Sequence, residues 1–198
     1  MKSNCKNTCC ENKSNSLYIK RILEMIGPVI LGSKPAEIVN IPGSSDEKKM
    51  KLSQIQGFFS NCCKITYRII NTCDGGKRVL FINEKLMHKT LDNKRCINFL
   101  KFMGYSRNYE LNNYMEELVS RLESENFPHE IGVFLGYPLK DVLGFMGYGN
   151  KELVEVRNWR IYGDKATSYA VYDSFLRDKA IMKSMIQSMP ISELQRAI

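Results

Sequence analysis

The chain has 198 residues, enough for one well-packed domain and few for two. Apolar residues make up 43% of the chain and charged residues 25%, which excludes a wholly disordered protein. The net charge of +8 is spread along the sequence without an aromatic-interleaved basic stripe, so we expect a solvated basic surface and regard a nucleic-acid partner as disfavoured.

Two features of the sequence predict the cellular compartment of the protein. No apolar run reaches the length of a bilayer span, and residues 1–15 lack the apolar core of a signal peptide. We therefore expect a cytoplasmic protein without a membrane partner. The seven cysteines favour reduced thiols in that setting, and Cys5, Cys9 and Cys10 lack the spacing of zinc or iron–sulfur ligands.

The chain divides into three predicted segments. Residues 1–15 form a disordered, Cys-containing tail, residues 16–188 a single globular domain, and residues 189–198 a loose C-terminal tail. The domain is predicted to be α+β or α/β, with a small mixed sheet of about three to five strands covered by about seven helices.

The first part of the domain carries helical signals. Apolar residues at helical spacing predict a helix from Ser16 that Gly27 ends. Pro35 is placed early in a second predicted helix through Val39. A Gly-Ser-Ser turn at residues 43–45 precedes a third helix.

A β-hairpin follows. Apolar and polar residues alternate over residues 64–69, and the turn Cys73-Asp74-Gly75-Gly76 returns the chain through residues 77–82, so we expect two antiparallel strands. Helices are then predicted from Asp92 and, with the clearest amphipathic pattern, from Asn108.

The most distinctive stretch runs over residues 127–147. Its short apolar run predicts a buried strand over residues 130–137, and the glycines within it mark turns or close backbone approaches. Pro138 opens a helix that Gly147 ends. Downstream, a strand is predicted over residues 159–162, followed by a long final helix that reaches about Ser188.

This stretch resembles a known family. The sequence FPHEIGVFLGYPLKDVLGF, residues 127–145, is similar to the hallmark block of the uncharacterised clostridial family called domain of unknown function 3793, and residues 28–36 match more weakly. The chain departs from the family at Ile26-Gly27, where a Cys is usual, and at Ile82-Asn83, where Tyr-Arg is usual. The resemblance implies no activity, but it implies an association with flavodoxin and ferrous-iron transport in anaerobes.

A strand, a Gly-containing turn and a helix start often border a ligand, because free backbone N–H groups point out of a helix N-terminus. An ordinary strand-to-helix connection has the same shape. Under the ligand interpretation, the candidate binding residues are Gly132, Gly136, Tyr137, Asp141, Lys34, Trp159 and Tyr162. Arg160 could also meet an anion, although a solvated position would explain it equally well.

His129 and Glu130 are the candidate catalytic residues. Neighbours on a strand point to opposite sides, so we do not expect them to form an acid/base pair with each other. His129 could ligate haem iron or another metal, or shuttle protons, or it could simply anchor the turn at Pro128. The familiar nucleotide-binding, zinc-protease and serine-hydrolase motifs are missing from the sequence.

Two functional hypotheses follow. The first is a non-catalytic cytosolic protein that binds a small ligand or an acidic redox partner such as a flavodoxin, linked to iron or redox metabolism, with the basic charge steering the partner. The alternative is an enzyme of haem or iron metabolism that uses His129 as a ligand or as an acid/base. Haem or iron is the cofactor that the second hypothesis requires.

Overall fold

A computed structural model describes the backbone of residues 5–198 and the side chains of residues 17–198. Within these residues it has nine helices: α1 (Cys5–Leu31), α2 (Ser45–Phe59), α3 (Glu84–Leu91), α4 (Lys94–Phe102), α5 (Leu111–Glu123), α6 (Ile131–Phe134), α7 (Leu139–Phe145), α8 (Ala166–Ser188) and α9 (Ile191–Ala197). The strands are β1 (Ala36–Asn40), β2 (Thr66–Asn71), β3 (Lys77–Ile82), β4 (Leu153–Val156) and β5 (Arg160–Tyr162). The α+β class is confirmed.

The strands form two antiparallel sheets. The larger has the order β1-β3-β2, with Val39 opposite Val79 and Ile69 opposite the same residue, so β3 lies in the centre. The predicted hairpin is confirmed as β2 and β3. The smaller sheet pairs β4 with β5, and only β5 falls within the stretch predicted as a strand, residues 159–162.

The larger sheet separates two apolar clusters. Side chains of β3 alternate between them, because successive residues of a strand point to opposite faces. Val79 and Phe81 pack with α1, α2, α8 and α9, whereas Leu80 and Ile82 pack with α3 to α7. The cluster that contains Leu80 and Ile82 also contains apolar residues of the hallmark segment, residues 127–145, and therefore supports the site described below.

The prediction that Gly27 ends the first helix is wrong. Helix α1 continues through Gly27 and Pro28 to Leu31. A Cβ atom on Gly27 would lie only 2.7 Å from the Cβ atom of Met182, so this glycine allows α1 and α8 to approach closely. The first four residues of the predicted tail lie outside the described residues, as do the side chains of its cysteines, while the backbone from Cys5 belongs to α1.

Two other elements differ from expectation. The predicted helix through Val39 is wrong, because residues 36–39 belong to β1, in which Ile38 and Val39 pair with β3. The last ten residues, expected to be loosely attached, include α9, whose Leu194 is fully buried, and Ile198 after it is also largely buried. The apolar residues of this short segment are too few to reveal a helical stripe in the sequence.

The predicted strand over residues 130–137 is also wrong. Residues 131–134 form the short helix α6, in which the amide of Leu135 donates to the carbonyl of Ile131 at 2.9 Å. All four residues of α6 are buried, and a fully buried helical turn has the same short apolar run as a buried strand. His129 and Glu130 therefore lie in a turn before α6 rather than on a strand.

No helix in the described part of the chain combines the length and the apolar character that a bilayer span requires.

Candidate functional site

A cavity of about 470 Å³ lies between the hallmark segment and the β4–β5 hairpin. We call it the aromatic cavity. Its lining is mostly apolar and consists of Phe127, His129, Ile131, Gly132, Leu135, Tyr137, Asp141, Val142, Phe145, Val156, Arg157, Asn158, Trp159 and Arg160. The turn before α6, helices α6 and α7, and the hairpin thus contribute to one concave surface.

Two stacked rings form one wall of the aromatic cavity. The rings of Tyr137 and Trp159 lie 4.7 Å apart between centroids, with planes inclined by only 21°. Trp159 also meets Tyr172 and Phe175 of α8, which fixes the indole from behind. Burial, assisted by the negative charge of Glu37, raises the pKa of Tyr137 to about 12, so its phenol is neutral near pH 7. The wall is therefore flat, aromatic and uncharged.

Asp141 holds this wall in place. Its Oδ2 accepts from the indole Nε1 of Trp159 at 2.9 Å and from the hydroxyl of Ser168 at 2.6 Å. Its Oδ1 accepts from the backbone amide of Tyr162 at 2.9 Å and from Lys140 Nζ at 2.6 Å. One carboxylate thereby joins α7, β5 and α8.

The charge of Asp141 is fully compensated. Burial by itself raises the pKa of this carboxyl, but the hydrogen bonds from Lys140, Ser168, Tyr162 and Trp159 outweigh it, and the pKa lies below its ordinary value. Lys140 Nζ also donates to the carbonyl of Tyr162 at 2.8 Å and to Ser168 Oγ at 2.7 Å. The carboxylate of Asp141 and the ammonium of Lys140 thus have their hydrogen-bonding capacity filled by each other and by neighbouring residues. They support the cavity and have little capacity left to bind a ligand.

The mouth of the cavity carries positive charge. Arg160 is exposed, lies over the Phe145 ring at 5.4 Å, and has no side-chain hydrogen bond or ion pair among the described residues. His129 is also exposed, packs edge-on against Phe145 at 5.0 Å, and is likewise without a side-chain hydrogen bond there. The backbone carbonyl of His129 accepts from the amide of Gly132 at 3.3 Å, so this residue takes part in the turn before α6 through its main chain and not through its imidazole.

Arg157 is engaged elsewhere. Its Nε donates to Glu155 Oε1 at 2.6 Å, and its guanidinium lies over the rings of Tyr169 and Tyr172. Hydrogen bonds from Tyr169, Arg157 and Lys165 lower the pKa of Glu155 to about 2. This network fixes the β4–β5 hairpin against α8 and leaves Arg160 as the available guanidinium of the cavity lining.

The hallmark residues that line the cavity belong to a stretch that recurs in a family. Residues 22–195 match the family described as Protein of unknown function (DUF3793). The chain belongs to this family. Comparisons with curated proteins and with solved structures find no match.

The structure brings five of the predicted site residues of this DUF3793 member into the cavity lining, namely His129, Gly132, Tyr137, Asp141 and Trp159. The other four, Lys34, Glu130, Gly136 and Tyr162, lie outside it. Arg160, which the sequence suggested could meet an anion, also lies in the lining. Sequence reasoning missed most of the apolar walls, because no local pattern indicates which apolar residues of distant segments face the same cavity.

Glu130 is a buried structural carboxylate. Its Oε1 accepts from Arg121 Nη1 at 2.9 Å and from the Tyr105 hydroxyl at 3.4 Å. Arg121 also donates to the carbonyl of Met103 and lies over the Tyr105 ring. Burial, with the charge of Glu130, raises the pKa of Tyr105. Since Glu130 faces this cluster and not the cavity, it has no access to a ligand there.

Lys34 is buried in an aromatic environment on another side of Tyr137. Its Nζ forms a 2.6 Å ion pair with Glu37 and lies 5.2 Å and 5.3 Å from the ring centroids of Tyr137 and Phe175. Gly136 has φ of +77°, and a Cβ atom there would lie 2.5 Å from Pro35 Cδ. Both residues therefore fix the back of the aromatic wall.

Metal-binding capacity is limited in the described part of the chain. No group of three or more His, Cys, Asp and Glu side chains comes together there. In the cavity lining, the imidazole of His129 is available as a metal ligand, whereas the carboxylate of Asp141 already accepts four hydrogen bonds.

Proposed function

We propose that this protein reversibly binds a small, flat and mostly apolar anion in the aromatic cavity. The observation that carries the proposal is the stacked Tyr137–Trp159 wall facing apolar residues, with Arg160 free at the mouth. Small-molecule sites are usually concave and mostly apolar, with a few polar groups that fix orientation. A volume of about 470 Å³ falls within the range of such sites.

The shape of the wall favours a planar ligand. An aromatic ring system could lie against Trp159 on the cavity side, where offset stacking adds to the burial of apolar area. Ile131, Leu135 and Val142 supply the apolar surroundings. The wall is held rigid by Asp141, so little ordering of the protein would oppose binding.

The charge at the mouth favours an anionic group on that ligand. A guanidinium forms paired hydrogen bonds with a carboxylate, sulfonate or phosphate, and the Arg160 side chain has no hydrogen-bond or ion-pair partner among the described residues. The neighbouring His129 adds a second donor. Together they would orient the acidic end of the ligand toward solvent and its ring toward Trp159.

The same surface favours a second candidate function, the docking of an acidic redox protein such as a flavodoxin. Phe127, Phe145 and Val156 around the mouth are 44%, 43% and 64% exposed. The net charge of +8 would steer an acidic partner toward this apolar rim. The link to iron and redox metabolism rests on the family resemblance and belongs to this proposal.

Fluorescence tests the ligand-binding proposal, because Trp159 is the single tryptophan of the chain. Anilinonaphthalene sulfonate carries a flat naphthalene ring system and a sulfonate group, and serves as the probe. We expect one saturable site, with quenching of Trp159 emission as the probe is added. Arg160→Gln should weaken binding about tenfold, the loss expected for one hydrogen-bonded charge partner.

Arg107→Gln is the matched control, since Arg107 is exposed, lies outside the cavity lining and loses the same charge. It should bind the probe with wild-type affinity. Equal loss in both variants would mean that the net charge of the protein, not the cavity, attracts the anion. Probe binding without quenching of Trp159 would place the site elsewhere and would reject the proposal.

The enzyme alternative, with haem or iron held by His129, has its own test. If it holds for haem, added haem should give a Soret band shifted from that of free haem, and His129→Ala should abolish the shift while the variant remains folded. If it holds for iron, metal analysis should find iron in the wild type and none in His129→Ala. An unshifted Soret band together with no bound iron would remove this alternative without affecting the binding proposal.

A further inference from the structure

A second cavity, of about 650 Å³, lies between α3, α4, the α6–α7 turn and α8. Tyr137 belongs to the lining of both cavities, so the two are adjacent at this residue. We call the second one the cationic cleft. Its lining consists of Gly32, Ser33, Pro35, Leu86, Lys89, Thr90, Asn93, Arg95, Cys96, Gly136, Tyr137, Pro138, Leu139, Lys140, Thr167, Val171 and Ser174.

The lining of the cationic cleft contains basic residues and no Asp or Glu. Lys89 and Arg95 are exposed, and neither side chain has a hydrogen bond or ion pair within the described residues. Lys140 contributes only the aliphatic part of its side chain, because its ammonium group donates to Asp141, Ser168 and the carbonyl of Tyr162. Two cations are therefore available to a ligand.

Neutral donors complete the lining. The hydroxyls of Thr90 and Thr167 have no hydrogen-bond partner in the part of the chain that the structure describes. Burial raises the pKa of the Cys96 thiol, which keeps it protonated and adds no negative charge to the cleft. The cleft thus combines positive charge and hydroxyl donors with no carboxylate in its lining. The lining of the aromatic cavity, in contrast, is mostly apolar.

We propose that the cationic cleft binds a small molecule through a phosphate or pyrophosphate group. Arginine binds phosphate oxygens in a fork, lysine acts as a point charge, and hydroxyls donate to the remaining oxygens. Each of these donor types lines the cleft, at Arg95, Lys89 and the two threonines. The site is distinct from the aromatic cavity and does not depend on the ligand proposed there.

Calorimetric titration with inorganic pyrophosphate at low and moderate salt tests the inference. The wild-type protein should bind one pyrophosphate per chain, and the double variant Lys89→Gln/Arg95→Gln should bind at least about tenfold more weakly. The matched control is Lys183→Gln/Arg107→Gln, two exposed residues outside the cleft with the same loss of charge. It should retain wild-type affinity.

Three outcomes would overturn the inference: no binding to the wild type, equal weakening in the two double variants, or several weak sites that vanish together as salt rises. Either of the latter two results would mean that pyrophosphate is attracted by the overall positive charge of the protein and not by the cleft. Failure of this test leaves the proposal for the aromatic cavity unaffected, because binding there is measured by the quenching of Trp159 with a different probe.

Thr90→Val is a further test variant. It removes one hydrogen-bond donor without changing the charge, so it should weaken pyrophosphate binding less than the double variant does.

Discussion

At the scale of single residues, Asp141 decides whether the aromatic wall exists. Its two oxygens accept four hydrogen bonds from three elements, and it is only 2% exposed. Its position in the first turn of α7 was readable from the sequence as a favourable interaction with the helix dipole. Its hydrogen bond with Ser168 could not be predicted from the sequence, because local patterns do not indicate which residue 27 positions away will be a partner.

Replacing Asp141 with Ala should lower the free energy of unfolding by about 3–5 kcal/mol, because Lys140 is left as a partly buried, unpaired charge. Chemical denaturation measures the change. Asp173→Ala, at an exposed position where the side chain has no hydrogen bond or ion pair with another described residue, should stay within about 0.5 kcal/mol of wild type. A similar small effect at both positions would contradict the supporting role of Asp141.

The lowered pKa of Asp141 also predicts a pH dependence. A carboxyl whose folded pKa is depressed contributes stability above its unfolded pKa of about 3.9, and that contribution is lost as pH falls through the folded value. The difference in unfolding free energy between wild type and Asp141→Asn should therefore be constant near neutral pH and shrink below about pH 4. Denaturation at several pH values measures it, and a difference that grows in acid would refute the account.

At the scale of elements, the cavity depends on how closely α7 approaches β5. A Cβ atom on Gly144 would lie 2.3 Å from Tyr162 Cγ, so only glycine allows the contact. The helix α7 was predicted from its apolar spacing and its flanking Pro138 and Gly147. Helix α6 was not, because four buried residues are too short a segment to distinguish a helical turn from a strand.

Gly144→Ala should destabilise the protein by about 1–3 kcal/mol, the usual cost of overpacking, and should weaken probe binding in the aromatic cavity. Gly57→Ala is the matched control. Gly57 lies in α2, and its added methyl group would meet nothing within 4 Å. Because alanine favours helix more than glycine, this variant should gain up to about 1 kcal/mol. Thermal unfolding compares the two, and an equal shift in both would refute the tight contact.

At the scale of the whole molecule, the central sheet supports two cores, and the aromatic cavity belongs to the side formed by α3 to α7. The α+β class and the hairpin were predictable, since turn residues and alternation are local signals. The assignment of helices to the two faces of the sheet was not. It arises from contacts between distant segments, such as α1 with α8 and α9 with α2.

The attachment of α9 gives a prediction at this scale. Leu194 is fully buried in the cluster on the far side of the sheet from the cavity. Leu194→Ala should cost about 2–5 kcal/mol of unfolding free energy yet leave probe binding in the aromatic cavity unchanged. Glu193→Ala, an exposed neighbour, should leave both properties unchanged. A Leu194 variant with wild-type stability would mean that the C-terminal residues are loosely attached after all.

The central claim is that the hallmark segment and the β4–β5 hairpin form a ligand site. The most direct measurement is heteronuclear NMR of the labelled protein during titration with anilinonaphthalene sulfonate. We predict that the amide shifts change in residues 127–145 and 156–160, together with the indole N–H of Trp159, while α2 and α9 remain unperturbed. Shifts confined to other surfaces, or no shifts at saturating probe, would contradict the account.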